Sequence, residues 1–358
     1  MTPISTLPTP HASAPARDQR EIVVVCAADE AFALPLAVSV RSALANLDPT
    51  RRLRLYVLDG GLSDESKSRL LASWSFRRLE VEWIQPDLTL LAGLAISRHV
   101  NLVTYYRLLL PSLLPEQVER VIYLDADVLV RRDLSLLWDE RQDDMACLAV
   151  QDTAAPYLDA RAALPQFDRC YRYLAAVEPI PNYRELGLSP EAKYFNAGVL
   201  VIDLKQWRAM DVTGRVLECL RRHSQHVQWW DQYALNVVLA GRWRALDARW
   251  NQGVHAYTYP SWSESPFEAA AFQALRQEPW VVHFTSQDKP WHYYCRHPFR
   301  EDYLAEVART AWQGWSPQVP SKSAWSQWWR YRVAPLRRAV KVRSVRVKRI
   351  AAPLKRAA

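Results

Sequence analysis

Glycine is scarce in this chain, with nine in 358 residues, and neither G-x-G-x-x-G nor G-x-x-x-x-G-K-S/T occurs. The first absence argues against a dinucleotide-binding oxidoreductase, the second against a P-loop enzyme. Five cysteines (Cys26, Cys147, Cys170, Cys219 and Cys295) are scattered, odd in number and without C-x-x-C spacing. They fit a reducing compartment and offer no zinc site. No run of about 18 uncharged apolar residues is present, so no membrane-spanning helix is expected. The N-terminus lacks a basic segment followed by an apolar one, so no signal peptide is expected and the protein reads as cytoplasmic. Acidic residues are missing altogether from 322–358, which holds 12 Lys and Arg. Of 46 basic residues, 34 are thus left for the remainder against 38 acidic ones, a formal −4 beneath a total of +8. A mildly acidic body with a basic tail is not the pattern of a nucleic-acid binder, and no nucleic-acid partner is expected.

What is present suits one large α/β domain with an appendage. Hydrophobic residues make up 49% of the chain, enough to fill a core. Residues 1–20, rich in Pro, Ser, Thr and Ala, are predicted to be disordered. EIVVVCAADE (21–30) is a continuous apolar run of the kind buried on both faces of a parallel sheet. A helix is predicted over 33–47, and RLRLYVLDG (52–60) forms a second strand. Ser63 caps a helix running to Trp74, and 79–85 alternates as a third strand. Helix is expected again over 101–114, then strands in VIYLDADVLV, MACLAVQD (145–152) and VLVID (199–203). Strand and helix alternate as in a mostly parallel, doubly wound sheet. Ligands on such sheets bind beyond the carboxyl ends of strands, where Asp29, Asp125, Asp127 and Asp152 all fall. The expected organisation is a catalytic domain over 21–293, a connecting segment over 294–321 and the tail 322–358.

The chemistry is concentrated in four segments. In ERVIYLDADVLV (119–130), Asp125 and Asp127 stand where an apolar strand leaves the sheet, although Asp is disfavoured in strands and costly to bury unpaired. Side chains at i and i+2 of an extended segment share a face, so the two carboxylates are expected to converge. Like charges so close need a cation or a shared proton, and hard oxygen ligands suit Mg²⁺ or Mn²⁺ held against a diphosphate. Turn-capping is the plainer alternative, and the flanking VIYL and VLV favour the metal. In KYFNAGVLVIDL (193–204), Ala197 and Gly198 permit close backbone approach to a ligand, and Asn196 offers a donor and an acceptor. A turn before a buried strand explains that segment equally well. In WWDQYALN (229–236), Asp231 and Gln232 either cap a helix or meet sugar hydroxyls and stabilise positive charge at an anomeric carbon. In VVHFTSQDKPWH (281–292), His283 is placed to complete a metal site and Lys289 to meet phosphate oxygens. A single His after an apolar run is usually structural, but an imidazole ligand would tilt the metal from Mg²⁺ towards Mn²⁺. Arg107, in TYYRLLL, is either a surface ion-pair residue or a group reaching over the strand ends; the sequence does not separate the two.

Taken in order, these segments resemble glycosyltransferase family 8 over roughly residues 21–293. That family includes glycogenin and bacterial lipopolysaccharide galactosyl- and glucosyltransferases. The likeness is greatest to the bacterial α-galactosyltransferases of lipooligosaccharide synthesis, which also end in a basic, aromatic tail. The resemblance implies a GT-A-type fold with one nucleotide-binding domain, a UDP-galactose or UDP-glucose donor, Mn²⁺ (or Mg²⁺), and retention of anomeric configuration. By position, Asp125, Asp127 and His283 would be the metal ligands. Ala27, Asp29 and Phe32 would line the uridine site, with Phe32 against uracil, and Ala126 and Ser286 would also bind the donor. Arg107, Asn196, Asp152, Asp231 and Gln232 would surround the sugar, and Lys289 would contact the diphosphate. Three positions depart from the family pattern. Ala31 stands where an Asn contacts the nucleoside, Tyr233 replaces an acidic residue in D-Q-D, and Ser286 replaces a Gly before the K-P-W. They bear on sugar preference and acceptor geometry, which a few positions near Asp152, Asp231 and Tyr233 are expected to control.

Retention requires the acceptor hydroxyl to approach the face that UDP leaves. Gln232 is the positional candidate for a nucleophile, but an amide is a poor one. The same-face route is therefore expected, in which the departing phosphate takes the hydroxyl proton while Gln232 and Asp231 stabilise the oxocarbenium-like state. In the tail, Trp325, Trp329, Val333, Leu336, Val340 and Val347 fall within a stripe of roughly 80° on a helical wheel, interrupted at Pro335. Trp rings favour the headgroup region and Lys/Arg favour anionic lipid, which points to peripheral attachment at the inner face of the cytoplasmic membrane. A solvated tail or a nucleic-acid arm is the alternative. The expected activity is hexose transfer to a lipid-linked core saccharide of lipopolysaccharide or lipooligosaccharide. A glycogenin-like or polyol-acceptor transferase, or a non-catalytic membrane-bound sugar-binding protein, are the rivals.

Overall fold

The computed structural model describes residues 20–74, 77–95 and 102–318. The stretch 1–19 and the basic tail 322–358, for which disorder and membrane attachment are expected, lie outside the described residues. Ten strands are described: β1 (Glu21–Ala28), β2 (Arg52–Asp59), β3 (Leu79–Ile84), β4 (Arg120–Asp125), β5 (Val128–Val130), β6 (Cys147–Gln151), β7 (Phe195–Asp203), β8 (Trp243–Ala245), β9 (Gln252–Gly253) and β10 (Val281–His283). Seven form the main sheet in the order β3-β2-β1-β4-β7-β6-β8, and β5-β10-β9 form a small second sheet. Every neighbouring pair in the main sheet is parallel except those made by β7, which runs against both β4 and β6.

The alternation of buried side chains assigns one core to each face of this sheet. Val23, Val25 and Ala27 of β1 face one apolar cluster, and Ile22, Val24, Cys26 and Ala28 face the other. A strand buried on both sides must read as a continuous apolar run, which is what EIVVVCAA is. The helix Ala33–Asn46 packs its Leu36, Ala37, Val40 and Leu44 into the second cluster. Ser63 caps the helix Asp64–Ser73 by accepting from the Ser66 N–H at 3.1 Å.

Three expectations are corrected. The helix expected over 101–114 is a 3-10 stretch, Leu102–Leu109, followed by a short α-turn, Leu110–Leu113. Pro111 sits in the first turn of that α segment, where its missing N–H costs nothing, so it restarts the helix there. The strand expected at 199–203 begins four residues earlier, at Phe195. Asp125 and Asp127 do not share one extended segment, because β4 ends at Asp125 and the chain turns through Ala126–Asp127 into β5. Their convergence is produced by the turn.

Beyond residue 294 the chain forms the helix Arg300–Val307, which lies on Ala33–Asn46 with Arg41 paired to Glu306. Further on, Trp312 sits beneath the Arg69 guanidinium at 4.2 Å, and the Ala311 N–H donates to Ser73 Oγ at 2.9 Å. Among the described residues no helix is long and apolar enough to cross a membrane.

Candidate active site

Reversal of β7 is what builds the site. Its first residues lie beside the last residues of β4, with Val199 opposite Leu124. Asn196, Ala197 and Gly198 are thereby brought to the edge where β1, β4 and β6 end. Against β6 the register jumps, Ala149 pairing with Leu200 and Val150 with Asn196, so β7 bulges through residues 197–199. Bulges re-aim side chains at sheet edges, and this one presents Ala197 and Gly198 to the cleft. The cleft has a volume of about 1250 Å³, and every residue expected to act on donor or metal lines it, from Ala27, Asp29 and Phe32 to Ser286 and Lys289.

At its floor, ligand atoms of Asp125, Asp127 and His283 lie within 4.8 Å of one another. His283 Nε2 is 3.6 Å from Asp125 Oδ2 and 3.3 Å from Asp127 Oδ1. The other ring nitrogen, Nδ1, is 2.8 Å from Asn251 Oδ1. Two carboxylates and an anchored imidazole are a donor set suited to Mn²⁺ or Mg²⁺, with no thiolate to favour a softer ion. Gly198 is part of this cradle: a Cβ there would come within 2.2 Å of His283 Cε1 and 2.8 Å of Asp125 Oδ2. Lys289 Nζ lies 2.5 Å from Asp127 Oδ2 and donates to the Phe284 carbonyl at 2.6 Å. Burial alone would push the Asp127 carboxyl up, but the Lys289 ammonium beside it is the leading opposing influence, and the carboxyl is held well below the usual carboxylate range.

Arg107 is not a surface residue. It is buried between Asp125 (Nη2 to Oδ1, 2.9 Å) and Asp231 (Nε to Oδ2, 3.0 Å), donates to the Ala197 carbonyl, and stacks over Tyr123 at 4.5 Å. Burial opposes its charge, but Asp125 and Asp231 more than compensate and the guanidinium is held firmly charged. Asp231 goes the other way: burial outweighs the Arg107 attraction and pushes it up to about 6. The helix Trp230–Val238 has Trp229 at its N-cap, with no side-chain capping bond from that residue.

Asp152, just past β6, accepts four hydrogen bonds. Its Oδ1 takes the Ala154 and Ala155 N–H groups (2.7 and 3.2 Å), and its Oδ2 takes the Asn196 and Gln232 amides (both 3.0 Å). Gln232 Oε1 in turn accepts from the Ala197 N–H at 3.0 Å. Both ends of that amide are engaged, so it is rigid.

Elsewhere the residues have plainer surroundings. Asp29 accepts from the Phe32 N–H at 3.2 Å, and the Phe32 ring meets Trp291 edge-on at 5.8 Å. Ser286 accepts from the Asp288 N–H at 3.1 Å. Tyr233, near which the positions that set sugar preference are expected, itself lies in the core. It is fully buried, its hydroxyl donates to Asn182 Oδ1 at 2.7 Å, and it does not line the cleft. Its place in the helix turns it away from the face carrying Gln232.

The sequence reading missed two features. Asn251 carried no strand-end pattern to mark it. The aromatic rim, to which Trp229, Trp230, Tyr293 and Tyr294 contribute, was visible only as the pairs WW and YY. Trp230 adopts φ +44°, a left-handed conformation uncommon for a bulky side chain.

A mostly parallel sheet with one reversed strand, carrying a carboxylate–imidazole cluster at its ligand-binding edge, defines a GT-A-like α/β fold of the glycosyltransferase class. The chain belongs to glycosyl transferase family 8, whose model matches residues 23–295. General stress protein A of Bacillus subtilis (strain 168) is 29% identical over 292 residues, 81% of this chain and 94% of that protein. Lipopolysaccharide 1,2-glucosyltransferase of Escherichia coli (strain K12) is 27% identical over 217 residues, 60% of this chain and 56% of that one. The solved structure of the galactosyltransferase LgtC with donor and acceptor sugar analogs superposes with a TM-score of 0.66 at 25% identity, covering 84% of this chain and 99% of that one. The family resemblance carried by the motifs is thus borne out.

Proposed function

We propose that this glycosyltransferase moves a hexose, galactose or glucose, from a UDP-sugar to a core saccharide of lipopolysaccharide or lipooligosaccharide, with retention of configuration. The observation that carries the reading is the grouping of Asp125, Asp127 and His283 with Lys289 in the cleft that Ala27, Asp29 and Phe32 also line. Similarity to a lipopolysaccharide glucosyltransferase and to a galactosyltransferase supports the hexose and the acceptor.

Mn²⁺, or Mg²⁺, held by Asp125, Asp127 and His283 would supply Lewis-acid neutralisation of the diphosphate as the sugar bond breaks. Arg107 fixes Asp125 from behind, so that carboxylate keeps its direction. Lys289 brings a second positive charge to the phosphate oxygens. The Phe32 ring offers a face to uracil, Asp29 and Ala27 complete the nucleoside end, and Ala126 and Ser286 lie along the donor. Asn196, Asp152 and Gln232 would meet the sugar as a set, because each is held by its neighbours. Gln232, rigid and neutral, suits stabilising charge at the anomeric carbon better than attacking it. Asp152, with both oxygens already engaged, is likewise a poor nucleophile. The acceptor hydroxyl therefore enters on the face UDP leaves and passes its proton to the departing phosphate oxygen.

The tail 322–358 would hold the enzyme on the anionic inner face of the cytoplasmic membrane, where a lipid-linked acceptor is met. The test is release of UDP from UDP-galactose or UDP-glucose with Mn²⁺, with and without a saccharide acceptor. No turnover of any UDP-sugar, or turnover unaffected by Asp127→Ala, would refute the enzymatic reading. Deleting 322–358 should abolish binding to anionic vesicles and spare UDP-sugar hydrolysis; vesicle binding that survives refutes the anchor.

A further inference from the structure

We infer that Asn251 is a positioning residue which, through a polarised line of amides, makes Nε2 the ligand atom of His283. The inference rests on the metal reading of Asp125, Asp127 and His283 but adds to it a residue that no motif marks. Asn251 is buried, 2% exposed, in the turn before β9. Its Oδ1 faces His283 Nδ1 at 2.8 Å, and its Nδ2 faces Asn196 Oδ1 at 2.9 Å.

The direction of each bond follows from groups that have no choice. The Gly198 backbone N–H can only donate, and it points at Asn196 Oδ1 from 3.0 Å. Asn196 must therefore place its oxygen there and its NH₂ against Asp152 Oδ2, to which it donates at 3.0 Å. Asn251, meeting that same oxygen of Asn196, must present its own NH₂. Its oxygen then faces the imidazole, so His283 Nδ1 carries a hydrogen and donates it. Nε2 is left with its lone pair on the side where Asp125 and Asp127 stand at 3.6 and 3.3 Å. A backbone N–H in the β7 bulge thus fixes the tautomer of a side chain on β10, two amides away. Partners of this kind orient imidazole ligands, and their loss typically lowers metal affinity by about 10–100-fold.

The line also ends on Asp152, which Gln232 shares at 3.0 Å. The imidazole is thereby tied to the residues placed around the sugar. No proton moves along it; the amides transmit orientation only.

Two measurements test the assignment. The first is the pair of ring ¹⁵N shifts of His283 in metal-free protein labelled at histidine, at alkaline pH where the ring is neutral, identified by comparison with His283→Ala. The Nδ1–H form is expected in the wild type. An Nε2–H form there overturns the inference whatever any variant does. The second is Mn²⁺ affinity by titration calorimetry. Asn251→Ala should weaken it about 10–100-fold and shift the ring towards a mixture of tautomers. Asn251→Asp, which still accepts from Nδ1, should keep the Nδ1–H form and recover much of the affinity. Unchanged ring shifts and affinity in Asn251→Ala refute the role. Should that variant fail to fold, the wild-type ring and Asn251→Asp decide. A wild-type protein that shows the Nδ1–H form but binds no Mn²⁺ sinks the metal reading instead, which separates the two failures.

Discussion

Gly198→Ala adds one methyl group at the point where β7 passes the candidate metal cluster, and its consequence can be worked from distances. The new Cβ would stand 2.2 Å from His283 Cε1, 2.7 Å from His283 Nδ1 and 2.8 Å from Asp125 Oδ2. Reaching the 3.4 Å of ordinary contact requires the ring to retreat by about 1.2 Å. Neither neighbour yields freely. His283 is buried in β10 and tied to Asn251, while Asp125 is held by Arg107 at 2.9 Å and by the Tyr123 hydroxyl at 3.2 Å. Overpacking a site of this kind costs about 1–3 kcal/mol. A misplacement of roughly 1 Å at a reacting centre costs on the order of 100-fold in rate. The variant should therefore stay folded, with its urea midpoint lowered, while UDP release falls about 100-fold and half-saturation by Mn²⁺ rises. The assay is UDP release across a Mn²⁺ titration beside a urea melt. Wild-type Mn²⁺ dependence together with wild-type stability would refute both the close packing of the cluster and its role.

Arg107→Met should destabilise the fold by about 3–5 kcal/mol, since it strands Asp125 and Asp231 without their shared cation; urea unfolding that moves by less than 1 kcal/mol, on the order of a surface change, would contradict this. Tyr233→Phe should cost roughly 1–3 kcal/mol, by leaving the Asn182 oxygen unpaired, and leave donor preference across a panel of UDP-sugars unchanged; altered preference would return Tyr233 to the site. Asp231 gives a pH signature. Burial raises it from 3.8 to about 6, so the folded state binds this proton more tightly than the unfolded chain, and stability from this group falls as pH rises between those values. The fall is roughly 3 kcal/mol at most. Asp231→Asn should remove it, so urea unfolding from pH 4 to 7 should show the variant gaining on the wild type up to about pH 6 and then running parallel; identical slopes would rule the shift out.

The parts of the site legible in the sequence are those where chemistry conflicts with the surrounding pattern. Asp125 and Asp127 interrupt an apolar run, and His283 ends another with Lys289 beyond it. Such residues would be costly in a sheet core, so their presence alone signals a use. Asn251 was illegible because an asparagine in W-N-Q-G conflicts with nothing; its value comes from facing His283 across 32 positions of sequence. The surroundings of Tyr233 are illegible for the opposite reason. It occupies a motif position, but which way a helical residue faces depends on what the helix packs against, and there Asn182 receives it.

Local pattern by itself determined that this chain would build a two-faced sheet, because runs such as EIVVVCAA and VIYL can be satisfied only by burial on both sides. It also determined that carboxylates would collect at strand ends. What only the tertiary structure decided is the direction of β7. Periodicity reports that a segment is extended and buried but carries no sign, since parallel and antiparallel strands bury the same faces. Run the other way, the N-A-G bulge would open at the far edge of the sheet. Antiparallel to β4, it places Gly198 against His283, Asn196 against Asp152, and the Ala197 carbonyl on Arg107. Residues scattered from Ala27 to Lys289 then line a single cleft.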